Sequence, residues 1–314
     1  MKDYSWYYKD EIRAENLSGC DVFLSAYTAS ERVQHVFDKA VARRKQWIVF
    51  PEYGYTQSES PAGAVILNTS DEAEDGLGYL DTYLASGVGE NVCIDITGFP
   101  RAHLVFLLRW LVLKQIQKIR LIYSEPDLYA DREKTAFAKG NVTEVRQIRG
   151  CEGVHSSDTR HDVLVIASGY DHELISYAAE SKNNAVKIQF LGMPALRPEM
   201  YQENVLRANR AANAIGGAIG VHPHNYFAPA NDPFVMASEL SRIVSSFHAR
   251  KPITNLYLCP LSTKPQVVGM TLFFLWERMN SATSIIFPFS SGYSRETSKG
   301  YSRSWQYTVE LPAG

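Results

Sequence analysis

The sequence predicts an α/β protein of two tandem, related halves, each built on a mainly parallel sheet. Three observations lead there. Short apolar runs bounded by turn residues alternate with segments of helix length, the pattern of β-α-β units. The order of elements then repeats: His161-Asp162-Val163-Leu164-Val165-Ile166-Ala167 aligns without a gap on Cys20-Asp21-Val22-Phe23-Leu24-Ser25-Ala26, and three further elements recur after each. Finally, each half holds a strand that breaks into a polar turn and reopens as a helix. These corners are Asp95-Ile96-Thr97-Gly98-Phe99-Pro100-Arg101 and Pro260-Leu261-Ser262-Thr263-Lys264-Pro265-Gln266. Halves of this kind are Rossmann-like, and parallel crossovers place both corners at the carboxyl edges of their sheets.

In chain order, residues 1–19 form a polar, aromatic arm and 20–130 the first half. Within it, strand 21–26 leads through Ser30, a good N-cap, into helix 31–44, followed by strand 47–51. Asn68 to Asp71 opens an acidic helix reaching residue 84, and a turn at Gly87–Gly89 enters the central strand. Helix 102–115 and strand 119–123 close the half. A connector over 131–160 carries a short strand at 144–148, and 161–314 forms the second half with a C-terminal extension. Its strands fall at 161–167, 186–191, 256–259 and 284–287, its helices at 234–247 and 267–278, and its own insertion at 200–226. Whether the halves share one sheet or form two is open at this level.

Composition narrows the function. With 32 Lys+Arg against 34 Asp+Glu, a net charge of -2 gives no electrostatic basis for bulk nucleic-acid binding. Cys20, Cys93, Cys151 and Cys259 lie far apart, so neither a disulfide framework nor a zinc site is expected. The longest apolar run, Leu104 to Leu113, is too short for a bilayer span and contains Arg109. A cytoplasmic protein without membrane, metal or cofactor is the expectation.

The corners supply the candidate ligand residues. Thr97 and Gly98 offer a hydroxyl and open backbone, and Arg101 a planar fork for phosphate or carboxylate. Ser262, Thr263, Lys264 and Gln266 do the same in the second half, beside a helix N-terminus. The first strand–helix turns add Ser25, Tyr27 and Thr28, and Ser168, Gly169 and Tyr170, with the two tyrosines placed to stack on a base. Glu52, Asp95 and Asp171 are candidate catalytic carboxylates, and His172, His222 and His224 candidate acid–base partners. A tail from Tyr293 to Trp305 interleaves basic residues, hydroxyls and aromatics, as a nucleotide clamp or partner contact would.

The run Ile94-Asp95-Ile96-Thr97-Gly98-Phe99-Pro100-Arg101 resembles the strand-to-helix motif of CRISPR-associated Rossmann-fold (CARF) sensor domains, a D-x-T-G-G-[ST]-[KR]-like turn. Asp95, Thr97, Gly98 and Arg101 match, Phe99 and Pro100 depart, and Ser262, Thr263 and Lys264 match more loosely. The resemblance implies a cyclic oligonucleotide or related ligand between two Rossmann-like units, here fused in one chain.

The sequence therefore reads as a sensor or regulatory protein, in prokaryotic antiviral defence if the resemblance holds. A nucleotide or other phosphorylated ligand would lie between the halves, with Arg101 and Lys264 pairing its phosphate. One rival reading is an enzyme acting on a nucleotide, a glycosidic-bond hydrolase or transferase. The other is a scaffold subunit for a protein partner or a second copy.

Overall fold

The computed structural model describes residues 2–5, 7–84, 91–129, 138–295 and 298–313. In chain order its strands are β1 (Tyr8–Ile12), β2 (Cys20–Ala26), β3 (Ala42–Val49), β4 (Val65–Ile66), β5 (Val92–Asp95), β6 (Lys118–Glu125), β7 (Leu128–Tyr129) and β8 (Ala138–Gln147). They continue as β9 (Val163–Ala167), β10 (Val186–Gly192), β11 (Asn225–Ala228), β12 (Leu256–Pro260), β13 (Thr283–Tyr293), β14 (Ser298–Lys299) and β15 (Arg303–Glu310). The α-helices are α1 (Glu31–Lys39), α2 (Glu74–Leu84), α3 (Arg101–Leu113), α4 (His172–Ser181), α5 (Pro198–Arg210), α6 (Ala212–Ile215), α7 (Pro233–Arg250) and α8 (Lys264–Phe273).

Among the described residues the two halves form separate large sheets, answering the question the sequence left open, and β14 and β7 pair as a small two-stranded one. The first runs β1-β15-β6-β5-β2-β3-β4 and the second β11-β10-β9-β12-β13-β8. Matching β2 to β9, β3 to β10, β4 to β11, β5 to β12 and β6 to β13 gives the same spatial order in both. In each, the chain builds outward on one side of its first strand and then returns to the other. The topological switch points therefore lie between β2 and β5 and between β9 and β12, where open α/β sheets hold ligands. The paired strands at both points are parallel, in register Ser25↔Asp95 and Pro260↔Ala167.

The strand interiors explain why these runs become parallel strands. All residues of β5 and β9 are buried, so apolar side chains are needed on both faces and the runs read as continuous rather than alternating. In α3 almost every residue is buried, which accounts for a helix with no polar stripe. Asp232 caps α7 by accepting from the backbone N–H of Phe234 and Val235, with Pro233 in the first turn.

Several boundaries differ from the sequence expectation. Helix α1 stops at Lys39, where helix was expected to 44, and Ala42 to Arg44 belong to β3. The ladder to β2, in register Cys20↔Ala42 and Val22↔Arg44, overrides the helical preference of the basic run. The expected helix 267–278 begins earlier, at Lys264, and its last turn is a π-helix over Phe274–Arg278. The Gly87–Gly89 turn lies outside the described residues.

The chain divides into two compact units. One comprises Tyr7–Lys139 and Gly292–Gly314, the other Met1–Trp6 and Gly140–Ser291. The sequence places the C-terminal extension in the second half, whereas these contacts group it with the first. There β15 pairs antiparallel with β6 and takes β1 as its own antiparallel neighbour. Part of the expected connector is β8, which flanks β13 in the second sheet. No helix among the described residues is long and apolar enough to cross a membrane.

Candidate functional site

At the first switch point the polar residues brace one another. Ser25 Oγ, at the end of β2, donates to Asp95 Oδ2 at 3.0 Å, and Thr97 N–H donates to Asp95 Oδ1 at 3.0 Å. Ser124 N–H, on β6, donates in turn to Thr97 Oγ1 at 3.0 Å. Three adjacent strands are thus tied through side chains buried to 6% exposure or less. Burial pushes the Asp95 carboxyl above the usual carboxylate range, even though its hydrogen bonds from Thr97 and Ser25 pull the other way.

Gly98 permits the closest approach. A Cβ there would lie less than 3.0 Å from the Ala26 carbonyl oxygen, so the turn after β5 rests directly on the end of β2. The second half achieves the same closure from the opposite side, since a Cβ on Gly169, after β9, would meet the Leu261 carbonyl, after β12.

Arg32, in the first turn of α1, is 8% exposed and donates through Nη1 to the Ser124 carbonyl. Its Nε is buried without a hydrogen-bond partner. Arg101, which opens α3, is 6% exposed. A cation in a helix's first turn opposes the helix dipole, and Arg32 is conspicuous in the sequence on that ground alone.

Glu52 sits in the turn after β3 and meets His103, two residues beyond Arg101. His103 Nε2 and Glu52 Oε1 are 2.6 Å apart, with side chains only 3% and 6% exposed. Glu52 Oε2 is buried and has no hydrogen-bond partner. Phe50 packs on His103 with ring centroids 4.6 Å apart, and on Phe99 at 5.4 Å. Burial raises the Tyr53 and Tyr79 hydroxyls well above the usual phenol range, and the charge of Glu52 adds to both. Glu52 is a candidate carboxylate from the sequence alone, whereas His103 is hidden there inside an apolar run.

The loop carrying Glu52 is held from several directions. Tyr53 OH donates to the Gly98 carbonyl at 2.8 Å. From the C-terminal segment, Arg295 Nε donates to the Tyr53 carbonyl at 2.6 Å, Nη2 to the Gly54 carbonyl, and Nη1 pairs with Glu59 at 2.8 Å. The Arg295 guanidinium also lies 4.3 Å from the Tyr55 ring centre. Tyr27 packs on Tyr55 and Trp47, with centroids 5.0 and 5.5 Å apart, and Tyr55 OH accepts from Ala29 N–H. Thr28 is buried beside them.

In the second half the candidate residues are likewise engaged within the fold. Ser168 Oγ accepts from Gln189 Nε2 at 3.0 Å, and Ser262 Oγ donates to Gln266 Oε1. Thr263 caps α8 through its side chain and also donates to the Ala230 carbonyl, while Gln266 Nε2 donates to the Ala228 carbonyl at 3.0 Å. The inserted helix α5 covers the turn after β9. Arg207 Nη1 donates to the Tyr170 carbonyl, Asn204 Nδ2 to the Ser168 carbonyl, and Tyr170 OH to the Met200 carbonyl. Asp171 is buried, and His172 N–H closes a turn onto the Tyr170 carbonyl. Lys264 begins α8 and is partly exposed.

His222 and His224 stay close, with ring centroids 5.6 Å apart, and burial lowers both imidazoles. Among the described residues no group of three or more His, Cys, Asp or Glu is arranged to hold a metal. A shallow depression lined by Gly19, Cys20, Asp21, Arg43 and Asn91 opens at the amino edge of the first sheet, the opposite end from that sheet's own candidates. No protein family, curated protein or solved structure matches this chain.

Proposed function

We propose that this chain binds a nucleotide or other phosphorylated small molecule at the carboxyl edge of its first sheet and serves as a sensor or regulatory protein. The observation that carries this reading is the Arg32 guanidinium, more than nine-tenths buried at that edge, with its Nε buried and lacking a hydrogen-bond partner. Buried charge is costly unless compensated. An anion is the natural complement, and the edge beside a switch point is where such sheets bind one. The resemblance of the Asp95–Arg101 turn to CARF domains supports a signalling role, with antiviral defence as its setting.

Titration calorimetry with AMP, ADP, cyclic dinucleotides and inorganic phosphate tests the reading. Arg101→Ala should weaken the bound anion by about 1.5–3 kcal/mol, the worth of a charged hydrogen bond and about 10- to 150-fold in affinity. An unchanged affinity in a folded variant would remove this corner from the site. Lys264→Ala, measured in parallel, reports whether the second corner contributes.

A further inference from the structure

Cys20 and Cys93 stand far apart in the chain, and folding brings their thiols together toward the amino edge of the first sheet. Cys93 lies within β5 in a buried cluster with Phe23, Val36 and Ile122, and Cys20, which opens β2, packs against that cluster. The Cys93 thiol donates a hydrogen bond to the Cys20 sulfur. The two differ in access. Cys93 is 1% exposed, whereas Cys20 is partly exposed and lines the shallow depression with Asp21, Arg43 and Asn91. The ladder between β2 and β5 begins only at Val22↔Val92, so Cys20 lies ahead of it, directly after Gly19.

A fixed cation stands beside the pair. Arg120, opposite Cys93 in the β5–β6 register, donates to the carbonyls of Ser18 and Gly19 at 3.0 and 2.8 Å and to Asn91 Oδ1 at 3.2 Å. Its guanidinium is thereby pinned to the residues that lead into Cys20. The hydrogen bond from Cys93 holds the Cys20 thiol below the usual range, and the charges of Arg120 and Lys45 add to this while burial and Asp21 oppose it. The same hydrogen bond, together with burial, pushes the Cys93 thiol well up. A thiolate is the nucleophile, so the reactive sulfur of the pair is the accessible one. Cys151 and Cys259 are both buried, and burial raises the Cys259 thiol.

We propose that Cys20 and Cys93 form a redox modification site, at which a hydroperoxide oxidises Cys20 and Cys93 resolves the product as a disulfide joining β2 to β5. The inference stands apart from the ligand reading above. In the first step the Cys20 thiolate bonds to one peroxide oxygen. The O–O bond breaks, and its electron pair leaves on the other oxygen, which takes a proton from solvent and departs as an alcohol, or as water from hydrogen peroxide. Cys20 is then a sulfenic acid. In the second step the Cys93 sulfur bonds to the Cys20 sulfur, the S–O bond breaks, and the departing hydroxide takes the Cys93 proton to leave as water. Two thiols and a hydroperoxide become a disulfide, an alcohol and water; sulfur is oxidised and the peroxide oxygen reduced. A small thiol reverses the bond by exchange. The joined strands are the two that flank the first switch point.

The test treats the full chain with hydrogen peroxide and maps its cysteines by mass spectrometry without reduction. A peptide linking Cys20 to Cys93 is expected, lost on adding dithiothreitol, with Cys151 and Cys259 still free. Cys93→Ser should abolish the link and leave a Cys20 sulfenic acid that dimedone traps, and Cys20→Ser should leave Cys93 reduced. On the reduced wild type, alkylation of Cys20 by iodoacetamide should have its pH midpoint below about 8.5, the value of a free cysteine, and Arg120→Gln should raise that midpoint. The map of the wild type needs no variant, so the proposal stays testable if a substitution does not fold. A wild type that keeps both thiols under peroxide, or that oxidises Cys151 or Cys259 first, would overturn the inference. So would a Cys20 sulfenic acid that never bridges to Cys93, or an alkylation midpoint at or above that of a free cysteine.

Discussion

Alanine at Gly98 tests the closed switch point. The added Cβ would fall closer than 3.0 Å to the Ala26 carbonyl oxygen, 3.2 Å from the Ala26 carbonyl carbon and 3.3 Å from its Cβ. These obstacles are not flexible side-chain ends. Ala26 closes β2 and pairs with Ile48 in the neighbouring strand, so it can yield only by loosening the ladder. Forcing a methyl group into such a contact costs about 1–3 kcal/mol. Gly169→Ala meets the same difficulty at the Leu261 carbonyl, with Leu261 C at 3.0 Å and Ser262 Cα at 3.4 Å. Gly78, within α2, has nothing within 4 Å of its would-be Cβ. Alanine there should stabilise by about 0.5–1 kcal/mol, because a helical glycine gives up more backbone freedom on folding. Urea unfolding followed by circular dichroism reads all three. With a slope of about 2 kcal/mol per molar urea, the two corner variants should lower their midpoints by about 0.5–1.5 M and Gly78→Ala should raise its own. Corner variants within about 0.5 kcal/mol of wild type would refute the tight contact at both switch points.

Three further outcomes follow from the same geometry. The Asp95 carboxyl has a raised pKa when folded, so between its unfolded value and its folded one the native state binds more protons. Wild-type stability relative to Asp95→Asn should therefore fall as pH rises above about 4, and a pH-independent difference would contradict this. Arg295→Ala removes donors from the Tyr53 and Gly54 carbonyls and the Glu59 pair, and should speed amide exchange over residues 53–59. Its cost in global stability should be about 1 kcal/mol, given the partial exposure of the pair; unchanged exchange would show that the tail does not hold the loop. Asp232→Ala should cost about 1 kcal/mol through loss of the α7 cap, measurable in the same urea experiment.

The fold was legible where local sequence and tertiary demand agree. Runs such as Val163 to Ala167 are apolar throughout because both sheet faces are covered, and their repetition in one order exposed the duplication. Legibility failed where long-range pairing decides. Ala42 to Arg44 look helical until β2 is beside them, and no local signal couples Tyr8–Ile12 to the far end of the chain. The site divides similarly. Residue types marked the corners, yet the partners of Ser25 and Thr97 lie 70 and 27 residues away, so their hydroxyls could not be recognised as internal braces. His103 was concealed by its apolar neighbours, and only its contact with Glu52 distinguishes it.

The central claim is that the first sheet's carboxyl edge holds a phosphorylated ligand. Native mass spectrometry of the purified, undigested protein, with identification of the small molecules it releases, addresses it most directly. The wild type should carry a nucleotide or phosphorylated metabolite, Arg101→Ala should lose it, and Arg101→Lys, which keeps charge without the planar fork, should retain part. A folded wild type that carries no such molecule, and takes up none when AMP, ADP or cyclic dinucleotides are supplied at millimolar concentration, would contradict the account.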